Sequence, residues 1–344
     1  MGKAPELNYR SFLANDMRDY LDYLDHLGFS ILVPAYRLKP IDRFLAENNI
    51  TCIQQCDSRL WLSLLRQHQG RIKAITFQYW HRTFHKFCRY LVLQGRIAEN
   101  PAAWFPLPNP QPYRPYVFSL QELRRIFDFL QQKADHSTDS LTSFRFRSRY
   151  VFYHLLYACG LRVSEAIRLT TADYSAEQRT LFIQPSKFHK DRLIPIGRRA
   201  ASNLERLLEL RQRWFGMPPA GPVFLILPQG RPYQRIWAGG YFRELLQRLG
   251  IYRPDFIRQG CAYGAPHLHD LRRAFAVHRL MRWYREQADV DAKLPLLATY
   301  MGHGHFGHTK TYLTLTQELL REAGNRFACG FDRLDWMAHD PELG

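Results

Sequence analysis

The chain has 344 residues, 46% of them hydrophobic, and carries 48 Lys and Arg against 31 Asp and Glu, a formal charge of +17. That length and apolar content support two domains with real cores and exclude a mainly disordered chain. The charge is spread along the chain, net +6 over residues 1–115 and +11 over the rest, and points to a polyanionic partner gripped from two sides rather than by one basic tail.

Cys52, Cys56, Cys88, Cys159, Cys261 and Cys329 are scattered, with no Cys-x-x-Cys pair, so neither a zinc ribbon nor a disulfide framework is expected. The N-terminus lacks an apolar signal-peptide region and no run of 18 apolar residues exists, so the expected location is the cytoplasm, with no membrane partner.

In chain order, Phe12, Met17, Tyr20, Leu21, Leu24 and Leu27 recur at helical spacing and predict a helix over 9–28, stopped by Gly28. A short helix is expected at 40–47. Another is expected at 57–69, capped by Asp57 or Ser58. The longest, 71–94, has Phe77, Trp80, Phe84, Phe87, Tyr90 and Leu91 on one face and Gly95 at its end. Together these read as a helical bundle. Arg71, Lys73, Arg82, Lys86 and Arg89 on the last helix are either a solvated face or a contact to that polyanion.

Six prolines between Pro101 and Pro115 deny backbone donors and mark 100–118 as a linker between domains at 1–99 and 119–344. Ser119-Leu120-Gln121-Glu122 is a capping box that opens a second domain. Residues 135–146 read as a loop, and 147–159 as a buried helix ending at Gly160. Arg162 stands at the start of a helical segment, 163–169, where Glu165 shares its face and can orient its guanidinium. Residues 180–196 alternate like a hairpin whose turn holds Lys187, Lys190 and Arg192. Helices are expected at 198–215 and 235–249, a short apolar run at 223–227, and a loop over Gly260–Pro266.

The C-terminal stretch carries the chemistry. His269-Asp270-Leu271-Arg272 opens it; Gly302-His303 and then Tyr312 close it. Arginine offers a planar charged fork for phosphate oxygens. Histidine accepts a proton near neutral pH, and tyrosine can be a covalent nucleophile. A phenol of pKa about 10 is ionised to about one part in a thousand at pH 7, a deficit of roughly 4 kcal/mol that neighbouring cations and a base must offset. His303, His305 and His308 lie in Gly-rich spacing that does not put three imidazoles on one helical face, so no metal site is expected.

Gly160-Leu161-Arg162-Val163-Ser164-Glu165, then Ser186-Lys187-Phe188-His189-Lys190-Asp191-Arg192, then His269-Asp270-Leu271-Arg272, then Met301-Gly302-His303 with Tyr312 nine residues on, resembles the tyrosine recombinase (phage integrase) family. Order and rough distances agree over about 200 residues. The resemblance implies a mainly α fold with a small β-sheet or hairpin: an N-terminal, SAM-like helical bundle that binds the DNA core, and a C-terminal catalytic domain.

It also implies a site-specific recombinase or integrase that cuts and rejoins DNA through a 3′-phosphotyrosine, without metal, ATP or another cofactor. Arg162, Lys187, His269, Arg272, His303 and Tyr312 are then catalytic. Glu165 supports the site, and Lys190, Arg192 and Arg273 contact DNA, with Lys190 a rival for the role of Lys187. The implied partners are double-stranded DNA, further copies in a tetramer on two DNA sites, and partner recombinases. Arg273 departs from the second histidine often found there, and Met301 from the usual leucine. The segment between Phe275 and His303 is longer than in compact relatives, as in versions from bacterial mobile elements. Two other readings are a type IB topoisomerase and a DNA-binding transposition accessory without catalysis.

Overall fold

The computed structural model describes residues 8–184, 191–215, 221–226, 230–303, 309 and 311–316. They fall into two compact units, Met1–Pro112 and Tyr113–Gly344. The fold is mainly helical with small sheets.

In the first unit, α1 (Ala14–His26), α2 (Leu32–Glu47), α3 (Ser58–Gln67) and α4 (Ala74–Leu93) enclose one core. The Asp57 carboxylate starts α3, accepting the backbone N–H of Arg59 at 2.8 Å and of Leu60 at 3.2 Å. Trp61 is fully buried, with Phe77 and Phe84 edge-on at 6.2 and 5.2 Å. Each such pair adds about 0.5–1.5 kcal/mol beyond the area buried.

α2 is far longer than the 40–47 read from the sequence, because it continues through Pro40. An interior proline costs about 3 kcal/mol. Ala35, Leu38, Ile41, Phe44 and Leu45 offset that cost with one buried stripe. Buried Asp42 adds to the anchorage by accepting the N–H groups of Arg10 and Ser11, each at 2.9 Å.

Both ends of the 100–118 stretch are packed into cores. Ala102 and Phe105 complete the first core, and Phe118 belongs to the second. Between them Tyr113–Arg114 forms a strand, β1.

The second unit continues with α5 (Leu120–Asp135), α6 (Ser140–Ala158) and α7 (Val163–Arg168). Ser119 Oγ accepts the Glu122 N–H at 3.2 Å and Glu122 Oε2 accepts the Ser119 N–H at 2.8 Å, the reciprocal cap the sequence predicts. α6 packs against α5 and supplies the central rings of the core, Phe152 and Tyr153. It starts within the stretch read as a loop because Asp139 caps it, taking the N–H of Leu141 at 3.1 Å and of Thr142 at 2.9 Å.

An antiparallel sheet follows, β2 (Tyr174–Ser175), β3 (Thr180–Ile183) and β4 (Arg192–Pro195), with Ile183 opposite Arg192. Then come α8 (Arg198–Phe215), the pair β5 (Leu225–Ile226) and β6 (Arg231–Pro232), and α9 (Arg235–Arg248). The Gly260–Pro266 loop of the sequence reading is instead half of a hairpin, β7 (Phe256–Arg258) and β8 (Cys261–Tyr263). Gln259 and Gly260 both have positive φ, 50° and 71°, as a tight two-residue turn requires. β1 joins β8 in parallel on its other edge. α10 (Leu268–Arg285), α11 (Val290–Met301) and helical residues 311–316 complete the unit.

His81 in the first core is 4% exposed, lies 4.7 Å from the Trp61 ring, and has no partner for Nε2 among the described residues. Burial, then the neighbouring His85 and Arg82, pushes it down to about 4. An unfolded chain takes up this proton below about pH 6.5 while the folded chain does not, so stability is full above that pH and falls on acidification. At pH 5 the loss is about 2 kcal/mol, at about 1.36 kcal/mol per unit. His81→Phe should remove most of the decline in hydrogen-exchange protection of α4 between pH 7 and 5. An unchanged decline would assign it to another group.

Candidate active site

α6 stops at Gly160, whose φ is 59° and where a Cβ would lie 2.5 Å from the Phe275 ring, so only glycine fits. Two residues on, Arg162 caps α7 with an extended backbone. Glu165 Oε2 accepts the Arg162 backbone N–H at 2.8 Å, and Oε1 accepts Arg162 Nη1 at 2.7 Å. Arg192, from β4, donates to the same carboxylate through Nη1 at 3.1 Å and Nη2 at 2.8 Å. Burial pushes the Glu165 carboxyl up, but the hydrogen bonds and charges of Arg192 and Arg162 outweigh it and bring it to about 2. Glu165 is therefore a buried anion held between two guanidiniums.

His269 and Arg272 share one face of the first turns of α10. Arg272 is 1% exposed; it donates to the Gly160 carbonyl, and its Nη2 donates to the Met301 carbonyl at 2.8 Å. Burial lowers it to about 10 while the nearby Tyr312 acts in the opposite sense, so it stays charged at neutral pH. His269 is pushed down to about 3 by burial, then by Arg273, Arg272, His267 and Arg235. Its imidazole is neutral, with a lone pair available.

α11 ends at Gly302, in the left-handed conformation with φ 68°. The carbonyls of Tyr300, Met301 and Gly302 each accept from a different arginine: Arg192 Nε at 3.0 Å, Arg272 Nη2, and Arg162 Nη2. His303 follows, its Nδ1 2.7 Å from Thr309 Oγ1. Its ring lies against Tyr312, centroids 5.8 Å apart and planes at 25°. Tyr312 is 6% exposed.

The fold thus gathers Arg162, Glu165, Arg272, His303 and Tyr312 around the end of α11, and His269 lines the adjoining cleft with Arg162. Lys187, Lys190, His305 and His308 lie outside the described residues. Two of the arginines read as DNA contacts are engaged within the protein. Arg192 has a side chain 12% exposed and bound as above, and Arg273 pairs with buried Asp270. In the first unit Arg71, Lys73, Arg82, Lys86 and Arg89 are all exposed, the last three along one face of α4.

The cleft, of about 960 Å³, is also lined by Arg168, Arg235 and Arg243, which sequence reasoning missed. A signal existed on α9: Arg235, Gly239, Gly240 and Arg243 fall on one helical face, cations flanking two bare positions. Among the described residues no group of three His, Cys, Asp or Glu is placed to hold a metal ion, and no helix is long and apolar enough to cross a membrane.

Residues 117–318 match the model of the Phage integrase family. The protein y4rE of Sinorhizobium fredii, named as an integrase/recombinase, is 32% identical over 319 residues, 92% of this chain and 96% of its own length. The tyrosine recombinase XerD of Rickettsia bellii is 25% identical over 319 residues, covering 89% and 88%. Among solved structures, the XerH site-specific recombinase bound to a palindromic difH substrate has a TM-score of 0.65 at 16% identity, over 92% of this chain and 85% of that one. A lambda integrase dimer bound to a COC′ core site has a TM-score of 0.61 at 17% identity, over 87% and 76%. These two share the fold. With the family model spanning more than half of the chain and a relative above 30% identity along nearly all of it, the chain belongs to the phage integrase family and is a tyrosine recombinase.

Proposed function

We propose that this site-specific recombinase cuts and rejoins DNA with Tyr312 as nucleophile, and that Arg162 and Arg272, at the end of α11, are its phosphate clamp. The observation that carries the reading is the convergence of Arg162 and Arg272 on the Gly302 and Met301 carbonyls, next to His303, with the Tyr312 ring against His303. The Tyr312 oxygen attacks the phosphorus and its proton passes to His269. Arg162 and Arg272 hold the non-bridging oxygens as charge grows on them. His303 hydrogen-bonds the reacting phosphate. Lys187, with Lys190 as its rival, gives a proton to the departing 5′ oxygen. A 3′-phosphotyrosine and a 5′ hydroxyl result, and attack by a partner strand's hydroxyl reverses the step. The bond energy stays in the covalent link.

The cleft arginines Arg168, Arg235 and Arg243 extend the clamp along the DNA backbone. Arg82, Lys86 and Arg89, with Arg71 and Lys73, give the first unit a basic face for the duplex. Exchange of strands between two duplexes needs four cleavages, which suits a tetramer of this chain or of this chain with a partner recombinase. Recombinase relatives along most of the chain favour this reading over a topoisomerase or a non-catalytic accessory protein.

Tyr312→Phe keeps the ring against His303 and deletes only the nucleophile. It should bind DNA within about twofold of the unaltered protein and form no covalent product, because the lost contact is made in the reaction alone. A denaturing gel with a labelled suicide substrate reads this, and persistent covalent product would sink the assignment.

His269 should stay neutral from pH 8 to pH 5 in the free protein, since its environment depresses it to about 3. Binding DNA places phosphates beside it and should raise it toward its ordinary value. Histidine-labelled protein followed by NMR, with and without DNA in the Tyr312→Phe background, tests both. An ordinary midpoint in the free protein would show that neither burial nor the guanidiniums act on this ring as the structure implies.

Replacing the bridging 5′ oxygen by sulfur makes the general acid dispensable, because a thiol of pKa about 8.5 leaves unaided. Lys187→Ala should then be strongly impaired on ordinary DNA and rescued on the sulfur substrate, and Lys190→Ala less impaired and not rescued. Rescue of Lys190→Ala instead would exchange their roles.

A further inference from the structure

Arg192 reads from the sequence as one more cation on a hairpin turn. In the fold it is the side chain that joins three parts of the site. Its strand, β4, faces β3. Its fork takes both oxygens of Glu165, the carboxylate that also holds Arg162. Its Nε donates to the Tyr300 carbonyl, two residues before the Gly302 turn that leads into His303. The Tyr300 hydroxyl returns the connection by donating to the Pro195 carbonyl at the end of β4, 3.0 Å away.

The fit is close. A Cβ on Gly302 would lie 2.6 Å from Arg192 Nη1, so the guanidinium rests on the bare face of that turn. With its side chain 12% exposed and three hydrogen bonds made inside the protein, Arg192 is poorly placed to seize a phosphate.

We infer that Arg192 is a positioning residue of the cleavage site: it holds Glu165 against Arg162 and fixes the turn that presents His303, and it does not anchor DNA. Three features of the chemistry follow. Glu165 is buried, and an anion there is tolerated only while its cations stay. Arg162 has one fork to divide between Glu165, the Gly302 carbonyl and the scissile phosphate. Without Arg192, Glu165 would draw harder on Arg162 and pull its fork from the phosphate. Lysine cannot take the place of Arg192, because a single ammonium cannot form the two-point contact with Glu165 and also reach the Tyr300 carbonyl.

The inference rests on the roles proposed above for Arg162 and Tyr312, and its test separates the two. Covalent complex formation on a suicide substrate is measured under single-turnover conditions for the full chain and for Arg162→Ala, Arg192→Ala, Arg192→Lys and the double alanine variant, together with DNA affinity at several salt concentrations.

The expected result is a cleavage rate lowered roughly 10- to 100-fold in Arg192→Ala, with affinity within about threefold and the salt slope unchanged. Arg192→Lys should recover only part of the rate. Arg192→Ala should add little to Arg162→Ala, since residues that act through one another are not additive. That non-additivity is the mark that general loosening of the fold would not leave.

A loss in affinity together with a salt slope shallower by about one would make Arg192 a phosphate anchor and overturn the inference. So would full additivity of the two alanine changes. If Arg192→Ala does not fold, the comparison is made with Arg192→Lys, and an unaltered rate there overturns it equally. If Arg162→Ala itself cleaves normally, the active-site assignment has failed, whatever Arg192 does.

Discussion

The end of one helix organises the candidate active site. An α-helix leaves its last carbonyls without partners inside the helix and concentrates partial negative charge there. In α11 those of Tyr300, Met301 and Gly302 are met by Arg192, Arg272 and Arg162, which come from β4, α10 and the entry to α7. Three guanidiniums that would repel one another are thereby held close together by an element whose own termination demands donors. His303 leaves the same turn, with Tyr312 stacked on it, so the proposed nucleophile and the cations around it share a single reference point.

Glu165 supplies the rest of the cohesion. A carboxylate with no exposed surface is costly unless it is paired and hydrogen-bonded. Here it has two arginine partners and a backbone N–H, and is held at about 2. One buried anion among three arginines leaves the local charge positive, which is the bias a site for phosphate needs. The same field adds to burial at His269: its surroundings, and then the neighbouring cations, make its imidazole hard to protonate, which suits the proton-accepting role proposed for it.

Much of this was legible in the sequence, for identifiable reasons. Arg162, His269, Arg272, His303 and Tyr312 stand in short motifs whose order survives in the fold, and local chemistry such as the Ser119–Glu122 cap is written in adjacent residues. What could not be read depends either on partners distant in sequence or on local signals of an unusual kind. α2 passes through Pro40 because of what it packs against, and α6 begins at Ser140 because one aspartate caps a polar stretch. The β7–β8 hairpin hides behind a Gln259-Gly260 turn that lacks the usual asparagine or aspartate. Arg192 looks like any exposed cation until Glu165, 27 residues earlier, and Tyr300, 108 residues later, are brought to it.

Gly302 carries two independent demands. Its left-handed backbone favours glycine, but asparagine is the usual second choice at such a cap. The space beside it is already crowded, since Arg192 Nη1 lies 2.6 Å from where a Cβ would go. The backbone requirement alone would admit asparagine; the arginine removes it. Positions 192 and 302 therefore form a single unit of change, in which a side chain can be gained at one only if the guanidinium at the other gives up its place and its hydrogen bonds.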